Sequence, residues 1–251
     1  MHSSKIETES LRNARDLGGI VNKYGRKIKP GKLIRSDQLF EGSNSDLNLL
    51  YDKYNVRTIV DFREEREKVE KPDPILKNQK YVFNPIFPDL HAGLTHDEES
   101  EKRKKMWEMS KTDPKVAKDG MVYCYLKMAE DYSTAMYKKF LKEVINNENG
   151  ILWHCAFGKD RCGVGAYLVL KALDVDDNTL MEDYLYSNDC LHPGKIWTES
   201  IEGYAHYALD FYLLAYLNRV NELYGSFENY FENYLGITKE VKEILADKYL
   251  D

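Results

Sequence analysis

Four cysteines in 251 residues, Cys124, Cys155, Cys162 and Cys190, are too sparse for a disulfide framework. Long apolar runs are also missing. None approaches the roughly 20 residues that a membrane-spanning helix needs, so no integral membrane segment is expected. The start, MHSSKIETES, lacks the apolar core of a signal peptide. A cytoplasmic location is expected, unless an export signal has been trimmed. Positive charge is not in excess: 36 Lys and Arg against 42 Asp and Glu leave a net charge of -6. No global basic field draws the chain to nucleic acid or anionic lipid, although that sum does not describe a local cleft. No internal repeat or low-complexity linker divides the chain. With 43% hydrophobic residues, enough for a packed core, residues 1–251 read as a single domain.

What the chain does contain is a central stretch, residues 151–166, reading ILWHCAFGKDRCGVGA. Ile151, Leu152 and Trp153 look like the end of a buried strand, and Val164 to Leu173 is an apolar helical run. The spacing predicts strand, loop and helix, with Cys155 at the strand tip and Arg161 at the helix start. A helix N-terminus has unpaired N–H groups and a partial positive charge, which favour an anion. Gly158 and Gly163 give the loop freedom to curl its N–H groups inward. Arg161 adds a planar fork for two phosphate oxygens. The same field acts on the thiol: a cysteine pKa of about 8.5 falls to roughly 3.5–7.5 in such surroundings. Cys155 is then a thiolate, suited to accept a phosphoryl group and release it to water.

The pattern His154-Cys-Ala-Phe-Gly-Lys-Asp-Arg161 resembles the signature of the protein tyrosine phosphatase superfamily. Its fuller form, HCxxGKDR, resembles a bacterial and fungal branch whose tyrosine phosphatases also accept phosphoserine or phosphoinositides. Asn13-Ala-Arg-Asp-Leu-Gly-Gly19 with Leu33-Ile-Arg-Ser36, and the run from Asp61 through Pro74, are similar to that branch as well. The resemblance implies a phosphate loop between a strand and a helix and hydrolysis of phosphomonoesters through a phosphocysteine. The implied substrate is a phosphorylated protein or a phosphoinositide, and neither cofactor nor metal is called for. Strands near residues 20, 33, 58, 83 and 152, followed by helices, point to an α/β fold. A central, mostly parallel sheet flanked by helices is expected, with a helical C-terminal half.

Within this resemblance Cys155 is the nucleophile. Arg161 and the loop of Ala156, Phe157, Gly158, Lys159 and Asp160 bind the phosphate. Asp160 is a candidate to protonate the leaving oxygen and then activate water; the alternative is that it braces the loop. Its rival is Asp89, in a Pro-Asp turn where many members of the superfamily carry a mobile general acid. His154 is expected to orient the loop rather than transfer protons. Lys159 resembles the lysine of phosphoinositide phosphatases, and reads either as a second-phosphate contact or as an exposed side chain. Arg15 and Asp16 read either as substrate contacts or as a local salt bridge shaping a turn. The branch normally has serine or threonine after the arginine, whereas this chain has Cys162, a poorer donor to the catalytic sulfur. That departure implies slow breakdown of the phosphoenzyme and, at its limit, a module that traps phosphate without turnover. Arg161 and the family-like segments argue against rhodanese-like sulfur transfer.

The remaining elements follow from pattern. Ile20–Val21 and Ile28 to Ser36 read as paired strands joined by a turn. Ser45 is the expected cap of a helix from Asp46 to Tyr54. Residues 91–119, the most polar part, read as a solvated helix or as a lid. Met121 to Ile145 reads as one long amphipathic helix. Asp176 or Asp177 caps the next helix, and Thr238 caps the last one after a break at Gly236. The aromatics of 189–224 pack helices, with some free to face a pocket.

Overall fold

Alternation of side chains along one buried strand sets the architecture. The computed structural model describes residues 3–88, 105 and 108–251. Its strands are β1 (Ser4–Lys5), β2 (Arg15–Asp16), β3 (Leu33–Ser36), β4 (Val56–Asp61), β5 (Lys80–Phe83) and β6 (Gly150–His154). They form one sheet in the order β1-β2-β3-β6-β4-β5. The β3–β6, β6–β4 and β4–β5 pairs are parallel, and the two pairs at the N-terminal edge are antiparallel. Every residue of β6 is buried, as a central parallel strand covered on both faces must be. Ile151 and Trp153 join the core beneath the helical half, while Leu152 packs on the opposite face with Ile34, Ile59, Leu47 and Leu50.

Among the described residues the α-helices of five or more residues are α1 (Asn44–Asp52), α2 (Glu65–Glu70), α3 (Pro114–Met128), α4 (Asp131–Asn146), α5 (Asp160–Ala172), α6 (Asp177–Leu185), α7 (Ser187–Leu191), α8 (Ile201–His206), α9 (Asp210–Tyr224) and α10 (Lys239–Tyr249). Asp176 caps α6 and Thr238 caps α10, with Gly236 at φ 80° between α9 and α10. None of the described helices is long and apolar enough to cross a membrane.

Three expectations are corrected. The region expected as one helix from Met121 to Ile145 is two helices, because the chain is extended at Glu130 (ψ 166°). The Ala129 carbonyl at the break accepts from Thr134 and from the Tyr224 hydroxyl, so the interruption leaves no orphan there. The cap of α1 is Ser43 rather than Ser45, in a capping box with Asp46. Residues 20–28 close a turn, with the Ile28 N–H on Ile20 O and the Asn22 N–H on Arg26 O, but form no full strand: Val21–Lys27 and Ile28–Leu250 are isolated bridges. The expected lid at 91–119 falls largely outside the described residues; its last part, from Pro114, begins α3.

Asp46 decides the cap because it has a second task. Besides the Ser43 N–H, its carboxylate accepts from the N–H groups of Glu9, Ser10 and Leu11 at 2.6, 2.9 and 3.3 Å. One buried carboxylate therefore ties the N-terminal segment to α1. Asp46→Ala is expected to cost about 2–3 kcal/mol, a cap plus several stranded N–H groups. Urea unfolding measures it; a loss no larger than that of an exposed substitution would contradict the tie.

Candidate active site

The strand β6 ends at His154, Cys155 follows, and α5 begins at Asp160. The loop between them is shaped by what its carbonyls bind. Ala156 O accepts from the Gln38 N–H at 3.3 Å, and Phe157 O accepts from Asn13 Nδ2 at 2.9 Å. Gly158 O and Lys159 O accept from Arg35 Nη2 at 2.8 and 3.2 Å. A trans peptide points its C=O and N–H in opposite directions. Four outward carbonyls therefore turn the N–H groups of residues 157–160 toward the concave side, above Cys155. Gly158 is required at the bend: its φ is +64°, and a Cβ there would lie 2.5 Å from Ser36 O. Gly163, expected to help the loop curl, lies inside α5, where a Cβ would meet the Tyr184 ring at 2.8 Å.

Cys155 is 2% exposed. Burial pushes its thiol up, but a hydrogen bond from the Cys162 thiol and the charge of Arg161 outweigh it and bring Cys155 down to about 6. Cys162 pays in the opposite sense: burial and the neighbouring Cys155 charge hold it protonated. Arg161 is clasped by Glu67, Nη1 to Oε2 at 2.6 Å and Nη2 to Oε1 at 2.9 Å. Nη1 also donates to Phe62 O at 3.4 Å, which leaves Nε–H and the second hydrogen of Nη2 for an anion. Glu67 also closes the cap of α2, accepting from the Glu64 N–H. It was missed in the sequence, although the Glu64–Glu67 spacing of a capping box was there to be read.

Lys159 is corrected. Its side chain is buried rather than exposed, and its ammonium donates to the carbonyls of Ala205 and Tyr207, both at 3.1 Å, which fastens the loop to the helical half. Asp160 has its Oδ1 2.7 Å from the Tyr125 hydroxyl and 3.6 Å from Lys159 Nζ. Phe157, 43% exposed, meets His206 edge-on at 5.9 Å. Beside the loop opens a cleft of about 610 Å³ lined by Arg12, Gln38, Glu41, Lys71, Ala156 and Phe157 among others.

Arg15 and Asp16 are corrected as well. Arg15 is fully buried and donates to Asp183 O and Ser187 Oγ. Asp16 accepts from the N–H groups of Gly18 and Gly31. They form neither a pair with each other nor a contact with the loop. Arg15 acts one layer down, since Asp183 lies 3.6 Å from it and also holds Arg35 at 2.9 Å. Asp89 lies outside the described residues.

Under the loop, His154 Nε2 stands 3.0 Å from Asp73 and 3.7 Å from Asp61. By donor type these three residues suit a metal ion. Arg63 takes the place of a cation, donating to Asp61 and, at 2.6 Å, to Asp73. Burial alone would push the imidazole down, but Asp61 and Asp73 outweigh it and hold His154 above its usual 6.5. The stabilisation from its protonation is then complete below 6.5 and is lost as pH rises through the folded value. An NMR titration of His154 is expected to read above 6.5, and Asp73→Asn to move it down; an unmoved value would detach His154 from this cluster.

A family model described as "Tyrosine phosphatase family" matches residues 6–251. A Cupriavidus necator protein named as a candidate tyrosine-protein phosphatase is 29% identical over 180 residues, covering 72% of this chain and 62% of that protein. The triple specificity protein phosphatase PtpB of Mycobacterium tuberculosis is 26% identical over 175 residues, covering 64% and 63%. The chain thus spans under two thirds of the length of these relatives. The crystal structure of P. aeruginosa TpbA aligns over 76% of this chain and 89% of that one, at 14% identity and a TM-score of 0.33. Because the family match takes in the loop, its Asn13 and Arg35 supports and the helical half, the chain belongs to the tyrosine phosphatase family.

Proposed function

We propose that this chain hydrolyses phosphomonoesters, phosphotyrosine foremost, through a phosphocysteine formed on Cys155. The observation that carries the reading is a thiol held at about 6 beneath a loop whose carbonyls are all tied outward. The Cys155 thiolate attacks phosphorus, the S–P bond forms, and the bond to the ester oxygen breaks. Asp160 gives that oxygen its proton. Water then attacks phosphorus, the S–P bond breaks, and Asp160 takes the proton back. Arg161 and the loop N–H groups hold the three equatorial oxygens throughout. An aryl ester is favoured by the rim. Phe157 is half exposed beside His206, whose imidazole burial and the Lys159 charge pull below its usual range. At neutral pH that rim is aromatic and uncharged. Beyond the resemblance to the HCxxGKDR branch, the case for a phosphoinositide rested on Lys159, whose ammonium is engaged with two carbonyls.

Phosphate release is to be measured from a phosphotyrosine peptide and from a soluble phosphoinositide side by side. Release from the peptide is expected, rising through about pH 6 as the thiolate forms and abolished by Cys155→Ser. Equal activity in Cys155→Ser would sink the phosphocysteine; equal rates on both substrates would sink the aryl preference.

Cys162 is the one departure from the family pattern in the loop. Its thiol, a weaker donor than a hydroxyl, serves the Cys155 sulfur and stabilises that thiolate poorly as a leaving group. Cys162→Ser is expected to raise the steady-state rate while leaving the first turnover intact in rapid-quench kinetics. An unchanged steady-state rate counts against this, and a trapping module would show binding and at most a single burst, with no steady-state rate behind it.

A further inference from the structure

A buried hydroxyl needs partners, and a carboxylate restricts which way they point. Tyr125, on α3, is fully buried. Its hydroxyl stands 2.7 Å from Asp160 Oδ1 and 2.7 Å from the hydroxyl of Tyr184, on α6. Tyr125 has one proton, and an ionised Asp160 can only accept, so that proton points to Oδ1. Tyr184 must then donate to Tyr125. Lys159 Nζ approaches the same Oδ1, at 3.6 Å. Both neighbours engage one carboxylate oxygen and leave Oδ2 to the reaction. The rings are held as firmly as the hydroxyls: Tyr125 stacks on Tyr212 with centroids 5.4 Å apart and meets Tyr184 edge-on at 6.4 Å.

We infer that Tyr125, backed by Tyr184, is a positioning residue that makes Oδ2 the proton-carrying oxygen of Asp160. The inference rests on the proposed acid–base role of Asp160. With Oδ1 already receiving a hydrogen bond, a proton on Asp160 sits on Oδ2. From there it passes to the ester oxygen as the O–P bond breaks, and to Oδ2 returns the proton of the water that breaks the S–P bond. Burial and the Asp160 charge push both tyrosines well above their ordinary range, so neither gives up its own proton during the cycle.

The test uses kcat/KM, which reports the step up to phosphocysteine, for two aryl phosphates. The leaving oxygen of p-nitrophenyl phosphate needs little protonation, and that of phenyl phosphate needs much. Asp160→Asn is expected to lose far more on phenyl phosphate. Tyr125→Phe, which keeps the stacked ring, is expected to follow the same pattern with a loss of about tenfold on phenyl phosphate, the scale of one hydrogen bond to a charged group. In the Asp160→Asn background the tyrosine change is expected to add nothing. Tyr184→Phe, which leaves the bond to Asp160 in place, is expected to give a smaller loss with the same dependence on leaving group. Equal losses on both substrates for Tyr125→Phe, or a loss that persists in the double variant, would overturn the inference while leaving Asp160 as the acid. Equal losses on both substrates for Asp160→Asn would remove the acid role itself, and the inference with it.

Discussion

The site depends on the direction of four carbonyl groups. Left alone, a loop of this length would direct some of its C=O groups inward and repel an anion. Here Gln38, Asn13 and Arg35 draw the carbonyls of residues 156–159 to the outside. Arg35 carries the heaviest part, since it is fully buried and serves two of the four. Arg35 is in turn held by Asp183, which also faces Arg15 and accepts from the Ser3 N–H. Two buried guanidinium groups thus share one carboxylate. Burial and the Arg35 charge bring Arg15 down to about 10, so it remains charged at neutral pH. The surplus positive charge lies beneath the loop, where it favours an anion above. Removing one partner from such a buried pair costs about 3–5 kcal/mol, so these three side chains stand or fall together.

The sheet side alone would leave the loop free to rock. Lys159 fastens it to two carbonyls at the end of α8, those of Ala205 and Tyr207, and Tyr125 and Asp160 fasten it to α3. Glu67, from α2, sets Arg161 from a third direction. Each grip uses a charged group or a buried hydroxyl whose desolvation would be costly if the grip were lost. The loop is therefore preformed, which is what electrostatic stabilisation of a transferring group requires.

How much of this was legible depended on the distance over which each residue finds its partner. The strand, the loop and the helix from Ile151 to Leu173 were readable because their signals are local. The antiparallel edge was not, since Arg15 and Asp16 resemble turn residues until their pairing with Arg35 and Ile34 is known. Ser45 and Ser43 fit the cap of α1 equally well, and the choice is made by the bonds of Asp46 to residues 9–11. The break at Glu130 was hidden because the apolar spacing continues across it, while the Tyr224 hydroxyl that covers Ala129 comes 95 residues later. A lysine beside a phosphate loop reads as a ligand by proximity alone. The carbonyls that claim Lys159 are 46 and 48 residues away, and the carboxylate that claims Arg161 is 94 away.

The claim on Lys159 bears on what the pocket can accept. A substrate with a second phosphate needs a second cation near the first, and the ammonium best placed for it is buried against carbonyls. The neighbouring cleft offers Arg12 and Lys71, but sets Glu41, Glu67 and Glu70 among them, and Lys71 is already paired with Glu41 at 2.8 Å. Such a surface repels a highly anionic head group about as much as it attracts one. A side chain carrying a single phosphate meets no such conflict. In the proposed reaction an aryl stem sets its ring against Phe157 and His206, which meet edge-on at 5.9 Å, and gains apolar contact that a short alkyl stem cannot make. The discrimination proposed for this pocket therefore comes from the loop's own architecture, because the lysine that steadies the loop is withdrawn from the substrate.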